Sequence, residues 1–268
     1  MHLPTPRKTP NMPTAFITGG AKRIGAEVAR ALVNAGFKVA VHYNTSHGEA
    51  EALRDDLNAI AARSCEVFQG DLGDRASLTR VFSDVTDWLG PLNLLINNAS
   101  MFMNDDIGNI DDAQFDGHMA VNLKAPVYLT ELTAGQAEGL EDCLIVNMLD
   151  NKVFAMNPDF FTYTLSKAAL FTATQMLAMR FGGFPRVAGI APSITLISGK
   201  QSQANFEKSS RINPLGRQVT PHEIAETVLF MWNTKSYNDQ VLTIDGGQTL
   251  WELPRDVAFL VKEGLVDE

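Results

Sequence analysis

Short apolar runs and amphipathic stretches alternate along almost the whole chain. Strand-like runs occur at 14–18, 37–43, 65–71, 92–100, 143–148, 186–191 and 240–245. Between them, apolar residues recur at helical spacing over 23–36, 47–62, 74–88, 112–137, 160–182 and 221–232. Strands that are apolar at nearly every position are typical of a parallel sheet covered by helices on both faces. The pattern predicts an α/β fold with a doubly wound parallel sheet of about seven strands.

The same pattern predicts how the chain is organised. No linker-like stretch interrupts it after residue 14, so we expect a single domain over 14–268 and a flexible N-terminal arm over 1–13. Residues 193–213 have no clear hydrophobic period and form a segment that is too long for a simple connecting loop. This favours a mobile lid over a site. The apolar residues of the tail, 251–268, could close that site or pack on a neighbouring subunit, and both alternatives stay open.

Composition and charge argue against several functions. The formal net charge of −9 disfavours non-specific binding to nucleic acid, and no apolar run approaches the ~18 residues that span a membrane. Cys65 and Cys143 lie in apolar strand-like runs and are predicted to be buried free thiols, which suits a cytoplasmic protein. The five histidines show no metal-ligand spacing, so no metal site is predicted. Among them, His118 is expected at the surface or at a helix cap.

The segment TGGAKRIG, residues 18–25, lies between the first predicted strand and the first predicted helix. Gly19 permits a tight turn there, and Gly25 permits close packing of the helix on the strand. The start of the helix then offers free backbone N–H groups and a positive dipole end to a pyrophosphate. Strand, glycine loop, helix and second strand fall within about thirty residues, as in Rossmann-type units. We therefore expect a Rossmann-type domain that binds a nicotinamide dinucleotide.

The end of the second strand indicates which dinucleotide is bound. An NAD site usually carries an acid there for the ribose hydroxyls, but the sequence HYNTSHGE contains none before Glu49. Arg23 in the glycine loop, together with Asn44, Thr45 and Ser46, suits a 2′-phosphate instead. These residues predict NADPH as the cofactor. The alternative is an Arg23 side chain that faces solvent.

Further motifs follow the order found in the short-chain dehydrogenase/reductase family. They are Asp71-Leu72, NNAS at 97–100, Asn122 on the long helix, YxxxK at 163–167 and Pro192 after the sixth strand. With the glycine loop, they resemble that family over almost the whole chain from residue 14. The resemblance implies an oxidoreductase acting on a small molecule. It also implies a homotetramer, with the helices predicted over 112–137 and 160–182 as candidates for its interfaces.

Within that family, the sequence looks most like the pteridine reductases and the bacterial dihydromonapterin reductases. Four features carry this similarity, namely the arginine in the glycine loop, HYxxS after the second strand, Phe102 after NNAS, and the acid Asp150. The similarity implies a pterin-like substrate.

The resemblance also implies a set of cofactor contacts. Asp71 would meet the adenine, Asn98 and Ala99 would line the ribose and nicotinamide side, and Lys167 would bind the nicotinamide ribose hydroxyls. The expected cofactor-binding residues are Gly19, Lys22, Arg23, Ile24, Gly25, Tyr43, Asn44, Thr45, Ser46, Asp71, Leu72, Asn98, Ala99, Ser100, Tyr163, Lys167, Pro192 and Ser193.

Tyr163 and Lys167 are four residues apart in a predicted helix and therefore share one face. A neighbouring ammonium favours the phenolate, so we expect Lys167 to lower the pKa of Tyr163 and to make it a proton donor near neutral pH. The alternative is a chance pair on an amphipathic helix, which its position after the glycine loop and NNAS disfavours. Asn122 is expected to interrupt its helix and to hold a water next to Lys167 as part of the catalytic set.

Most members of the family carry a serine where this chain has Asp150, and its hydroxyl donates to a substrate carbonyl oxygen. An ionised carboxylate there would repel the charge that develops on that oxygen, so Asp150 argues against simple ketone reduction. Reduction of a C=N bond instead needs a proton at nitrogen, which an aspartate linked to Tyr163 can relay if burial raises its pKa. Phe102 could stack on a flat heterocycle, and Ser100 could hydrogen-bond to it.

The sequence therefore predicts NADPH-dependent reduction of a dihydropterin-like C=N bond, with proton delivery by Tyr163 and Asp150. One alternative is a short-chain reductase of another carbonyl or imine. A second alternative is a non-catalytic dinucleotide-binding protein on the same fold.

Overall fold

The structure is a computed structural model that describes residues 12–265, so residues 1–11 of the predicted arm lie outside the described part. One parallel sheet contains β1 (Thr14–Ile17), β2 (Lys38–Tyr43), β3 (Cys65–Gln69), β4 (Leu94–Asn97), β5 (Leu144–Met148), β6 (Arg186–Pro192) and β7 (Val241–Ile244). Their order across the sheet is β3-β2-β1-β4-β5-β6-β7. This order confirms the predicted Rossmann-type doubly wound sheet.

Helices cover both faces of the sheet. They are α1 (Arg23–Asn34), α2 (His47–Ile60), α3 (Arg75–Leu89), α4 (Asp112–Met119), α5 (Ala125–Gly135), α6 (Phe161–Phe181), α7 (Gln203–Ser209), α8 (Pro221–Asn233) and α9 (Val257–Lys262). Side chains alternate between the two faces along each strand, so neighbouring residues enter different apolar layers. Ile17 and Ile96 pack in the layer under α1 and α8, whereas Phe16 and Leu95 pack in the layer under α3 and α5.

The strand order reverses beside β1, which pairs with β2 on one side and with β4 on the other. In open parallel sheets, a crevice forms at the carboxyl ends of the strands where the order reverses. The glycine loop follows β1, and the predicted NNAS segment begins with the last residue of β4. The topology alone therefore brings these two segments to one edge of the sheet.

The helix predicted over 112–137 is divided. A π-helical turn over Ala120–Lys124 separates α4 from α5 and contains Asn122, as expected of an interruption at that residue. The Asn122 side chain explains the break, because its Oδ1 accepts from Met101 N–H at 2.8 Å and its Nδ2 donates to Met101 O at 2.9 Å. A buried amide that binds another segment of backbone fixes the helix surface at that turn.

The segment predicted to be irregular, 193–213, contains the seven-residue helix α7. That part of the prediction is wrong. Ser202 caps α7 by accepting from Asn205 N–H, and Phe206 is its one large apolar side chain. Asn205 Nδ2 also donates to Ala258 O in α9 at 2.9 Å. The helix depends on a cap and on tertiary contacts, which leave no apolar period in the sequence.

Candidate active site

A cavity of 940 Å³ lies at the carboxyl ends of the strands. The glycine loop, the ends of β2, β4, β5 and β6, the start of α6 and the segment before α9 line it. Every residue expected to bind cofactor or substrate borders this cavity, including Phe102 and Asp150. Asn122 is the exception among the expected site residues, since it is fully buried behind the wall.

The glycine loop is fastened to its neighbours by hydrogen bonds. Gly19 has φ +58°, and a Cβ there would lie 2.9 Å from Ala99 Cα. A Cβ on Gly25 would lie 2.7 Å from Gly20 Cα, so α1 could not approach the loop so closely with any other residue. Asn98 Nδ2 donates to the carbonyl oxygens of Thr18 and Gly19, both at 2.9 Å. The loop is therefore held in shape by backbone geometry and by β4.

The amino end of α1 faces the cavity with the features of an anion site. Lys22 is the N-cap residue of α1, but its side chain makes no hydrogen bond to the helix. The first backbone N–H groups of α1 therefore remain available to a diphosphate. The Arg23 guanidinium lines the cavity and donates to Ile197 O across it, and burial lowers its pKa. Glu49 lies outside the lining, with its Oε1 3.9 Å from Lys22 Nζ. These groups fit a dinucleotide that carries a further phosphate on its ribose.

Tyr163 and Asp150 form the central contact of the site. Tyr163 Oη donates to Asp150 Oδ2 at 2.8 Å, and Lys152 N–H donates to Asp150 Oδ1 at 2.9 Å. Asp150 follows β5, whereas Tyr163 lies in the first turn of α6, so two neighbouring elements place the pair. Lys167 Nζ, one turn further along α6, donates to Met148 O at 2.7 Å.

Burial decides the ionisation of these groups. It raises the pKa of Asp150, as expected, although Lys152 opposes the shift. Burial also raises the pKa of Tyr163 well above its ordinary value, and the Asp150 carboxylate raises it further. Burial lowers the pKa of Lys167 to about 8. The expectation that Lys167 lowers the pKa of Tyr163 is therefore wrong here, because the lysine binds a carbonyl while the phenol faces a carboxylate.

Three phenylalanines stack in a column at one end of the cavity. The rings of Phe102 and Phe160 are 4.4 Å apart at their centroids and nearly parallel, and Phe160 stacks on Phe259 at 5.7 Å. Phe102 also meets the Tyr163 ring edge-on at 4.6 Å. Phe102 is thus placed beside the phenol, and one of its faces already has an aromatic partner.

The described part of the tail packs on this end of the cavity. Arg255 Nε donates to both carboxylate oxygens of Asp159, at 3.0 and 2.9 Å. Asp256 Oδ2 lies 2.8 Å from Lys152 Nζ, and both side chains are largely buried. Four residues of the tail therefore border the site of their own chain, namely Leu253, Asp256, Val257 and Ala258.

Several of these groups escaped the sequence analysis. Phe160, Lys152 and Asp256 carry no recognisable spacing, and the only signal for Phe160 was an aromatic pair at the start of the helix predicted over 160–182. The expectation for His118 is wrong, because its side chain is fully buried rather than at the surface. It packs between α4 and α6, a contact that only the tertiary fold creates.

Other expectations concern the chain as a whole. Cys65 and Cys143 are buried free cysteines, as predicted. Within residues 12–265, no helix combines the length and the apolar character needed to cross a bilayer. Over the same range, no three His, Cys, Asp or Glu side chains are grouped so that they could hold a metal ion.

Comparison with known proteins defines the class of this protein. A family model described as enoyl-(acyl carrier protein) reductase, one of the short-chain dehydrogenase/reductase models, matches residues 19–249. The chain belongs to the short-chain dehydrogenase/reductase family of oxidoreductases.

Its relatives include proteins named for pteridine and folate reduction. Pteridine reductase 1 from Leishmania tarentolae is 27% identical over an alignment that covers 90% of this chain and 98% of that protein. The crystal structure of FolM alternative dihydrofolate reductase 1 from Brucella canis, complexed with NADP, matches with a TM-score of 0.84 and 39% identity over 90% of this chain and 96% of that one. The Brucella suis protein of the same name, also with NADP, gives 0.83 and 39% over 90% and 98%. The predicted resemblance to pteridine reductases is confirmed.

Proposed function

We propose that this protein is an NADPH-dependent reductase of a dihydropterin-like C=N bond. The observation that carries the proposal is the 2.8 Å hydrogen bond from Tyr163 Oη to Asp150 Oδ2, at a position where most of the family has serine. A carboxylate beside the phenol opposes a developing oxyanion, but it suits a nitrogen that must gain a proton.

The proposed cofactor follows from the anion site and from the relatives. Lys22, Arg23 and the backbone at the start of α1 would hold the diphosphate and the 2′-phosphate, and Lys167 would bind the nicotinamide ribose. When bound, NADPH supplies a hydride. The two FolM structures support this choice, because both are complexes with NADP.

The protein's own part in the reaction is to move one proton. The hydride goes to the carbon of the C=N bond, and the nitrogen takes a proton from Tyr163. Burial raises the pKa of both Tyr163 and Asp150, so each group holds its proton to a higher pH than when exposed, and Asp150 can take up a proton and pass it to the Tyr163 oxygen once the phenol has given up its own. Ser100 and Phe102 border the same space and would contact the flat ring.

The test is NADPH oxidation by the purified protein with dihydrobiopterin, dihydromonapterin or dihydrofolate. We expect turnover with at least one of them, and we expect Tyr163→Phe to remove nearly all of it because the ring stays in place without its proton. No turnover with any of the three would contradict the pterin substrate and leave another carbonyl or imine as the alternative. A Tyr163→Phe protein as active as the wild type would contradict the mechanism.

The preference for NADPH is tested separately. We expect kcat/KM to be higher with NADPH than with NADH. Arg23→Ala should reduce this preference by raising the KM for NADPH but not the KM for NADH, because only NADPH carries the phosphate that the arginine would contact. Arg30→Ala, at a half-buried arginine on the same helix, serves as the control. Higher activity of the wild type with NADH would contradict the proposal.

We also propose that the protein assembles as a homotetramer, as the family resemblance implies. The outer face of α6 carries the exposed apolar side chains Leu165, Met176 and Met179, which a second copy would cover.

A further inference from the structure

A chain of buried polar side chains lies behind the wall of the cavity next to Tyr163. Asp105 precedes α4 in the loop after β4, His118 lies on α4, and Thr162 lies in the first turn of α6. Their exposed fractions are 3%, 0% and 1%, and none of them borders the cavity. Buried polar groups are costly unless each finds a partner, so their arrangement requires an explanation.

The hydrogen bonds of this chain run in a single direction. Met103 N–H can only donate, and it lies 3.3 Å from His118 Nε2, so that nitrogen must be unprotonated. A neutral ring then carries its proton on Nδ1, which donates to Thr162 Oγ1 at 2.7 Å. The Thr162 hydroxyl has its own proton left for Asp105 Oδ2, with which it makes a short hydrogen bond. Each ring nitrogen therefore has one partner, and the Thr162 hydroxyl has two.

Two further facts agree with this direction. Burial lowers the pKa of His118, which favours the neutral ring. Thr162 N–H donates to Asp105 Oδ1 at 3.0 Å, so the same carboxylate satisfies one of the free donors at the start of α6. Phe160, directly before the helix, supplies no side-chain cap and has φ +57°, a left-handed conformation that bulky residues rarely adopt. Asp105 supplies from another segment the cap that the helix lacks.

The two ends of the chain touch the two groups that the reaction uses. Thr162 is the neighbour of Tyr163 in α6, and Met103 is the neighbour of Phe102 in the loop after β4. The phenol ring and the Phe102 ring meet edge-on at 4.6 Å. A shift of either backbone segment would therefore change the distance between the proton donor and the aromatic ring.

We propose that Asp105, Thr162 and His118 form a positioning clasp that holds Tyr163 and Phe102 in one geometry. This proposal rests on the proposed function, because it takes Tyr163 as the proton donor. The arm formed by Asp105 and Thr162 fixes the start of α6 and acts on kcat. The arm formed by His118 and Met103 N–H fixes the loop that carries Phe102 and acts on KM.

Thr162→Val tests the first arm. The substitution preserves shape but leaves Asp105 Oδ2 without its donor and His118 Nδ1 without its acceptor. We expect kcat to fall roughly 10- to 100-fold through misplacement of the phenol, with the Kd of NADPH within about twofold of wild type. Thr162→Ser keeps the hydroxyl and should restore kcat to within about threefold. A Thr162→Val protein with wild-type kcat, or a Thr162→Ser protein as impaired as it, would overturn this arm.

His118→Phe tests the second arm. The ring keeps its place between α4 and α6 but can neither accept from Met103 N–H nor donate to Thr162 Oγ1. Because Thr162 keeps both of its hydrogen bonds to Asp105, we expect KM for the substrate to rise roughly tenfold while kcat changes less than about threefold. An unchanged KM, or a loss confined to kcat, would overturn the assignment.

The tautomer of His118 can be read in the unaltered protein, and no substrate is required. In ¹⁵N-labelled protein at neutral pH, the His118 signals, identified by their absence in His118→Phe, should show a protonated Nδ1 and an unprotonated Nε2. A ring protonated on Nε2, or charged, would overturn the clasp. Failure of the wild type to reduce any dihydropterin would contradict the proposed function alone, because this measurement does not use the reaction.

Discussion

At the scale of single residues, Asp150 has two oxygens with different partners. Its Oδ2 accepts from the Tyr163 phenol and its Oδ1 accepts from Lys152 N–H. In Asp150→Asn, the amide keeps the size of the side chain but cannot take up or release a proton. We expect kcat for a dihydropterin to fall roughly 100-fold or more, while the Kd of NADPH stays within about twofold. Steady-state kinetics and a fluorescence titration measure the two quantities.

The dependence of the rate on pH follows from the same pair. Burial raises the pKa of Asp150, so its protonated form persists to higher pH than in an exposed aspartate, and the rate should fall as pH rises through that pKa. We expect this decline in the kcat profile of the wild type and its loss in Asp150→Asn. A variant profile that follows the wild type at every pH would assign the decline to another group.

His42 predicts a loss of stability in mild acid. Its Nδ1 accepts from Gly19 N–H at 3.0 Å and its Nε2 donates to Gly70 O at 3.0 Å, so the folded protein holds the neutral ring. Burial lowers the pKa of His42 to about 4 from 6.5. The unfolded chain then binds a proton more readily than the folded protein does. The stabilisation that neutral His42 contributes is therefore complete above pH 6.5 and is lost as pH falls towards 4. Between pH 7 and 5 we expect a loss of about 2 kcal/mol in the free energy of unfolding.

Urea unfolding at the two pH values measures this loss, and His42→Gln is the control. The glutamine can donate and accept but does not titrate, so its stability should change less over the same range. Equal losses in the two proteins would place the titrating group elsewhere.

The sequence was sufficient to predict those residues of the candidate site whose relative positions are set by their spacing along the chain. Tyr163 and Lys167 share a helix face at any position in a fold, and Gly19 follows a strand directly. The clasp residue His118 was not predictable, because its partners on the loop after β4 and on α6 become neighbours only in the folded chain. A buried polar residue and an exposed one look alike in a sequence.

At the scale of secondary-structure elements, the segment before α9 is fastened to the segment before α6. Asp159 accepts from Arg255 Nε and also from Asp256 N–H, the latter at 2.7 Å. In Asp159→Asn the charged partner of Arg255 is lost, so the tail should leave the cavity more often. We expect a several-fold rise in substrate KM and faster cleavage of the tail by trypsin.

A matched control uses the same arginine. Arg255 Nη1 also contacts Glu263, an exposed residue, so Glu263→Gln should change KM and cleavage little. If the two variants behave alike, or if Asp159→Asn retains the wild-type KM, the tail does not set the substrate end of the site.

Elements differ in how much of their formation is encoded locally. Helix α8 begins with a capping box of Thr220 and Glu223, and its start was predicted to the residue. The break between α4 and α5 required the contact between Asn122 and Met101, and α7 required Ala258 from the tail. When tertiary contacts interrupt or create a helix, the sequence shows little hydrophobic periodicity that would reveal it.

At the scale of the whole molecule, the alternation of buried strands and amphipathic helices was sufficient to predict the sheet. Parallel strands need crossover helices, and right-handed crossovers leave few arrangements for such a chain. Because the strands are parallel, their carboxyl ends meet at one edge, which brings Gly19, Asn98 and Asp150 together although they are far apart in sequence. The assembly of several chains follows from no such rule and has to be measured.

We expect assembly of the tetramer to depend on a few apolar residues on the outer face of α6. Met176 and Met179 are 63% and 72% exposed, and burying such side chains between copies removes apolar surface from water. Light scattering after size exclusion should give a mass four times the 29.3 kDa of one chain. Met176→Glu with Met179→Glu should give a smaller species, because two carboxylates would be buried without partners.

Ile60→Glu provides the control for that experiment. Ile60 is 51% exposed at the end of α2, so the substitution adds a charge to an exposed apolar position away from α6 and should leave the mass unchanged. A wild-type protein that runs as a monomer would contradict the tetramer itself. A tetramer that survives both methionine substitutions would instead place the interface on other surfaces, since the two charges could not be accommodated inside a packed helix face.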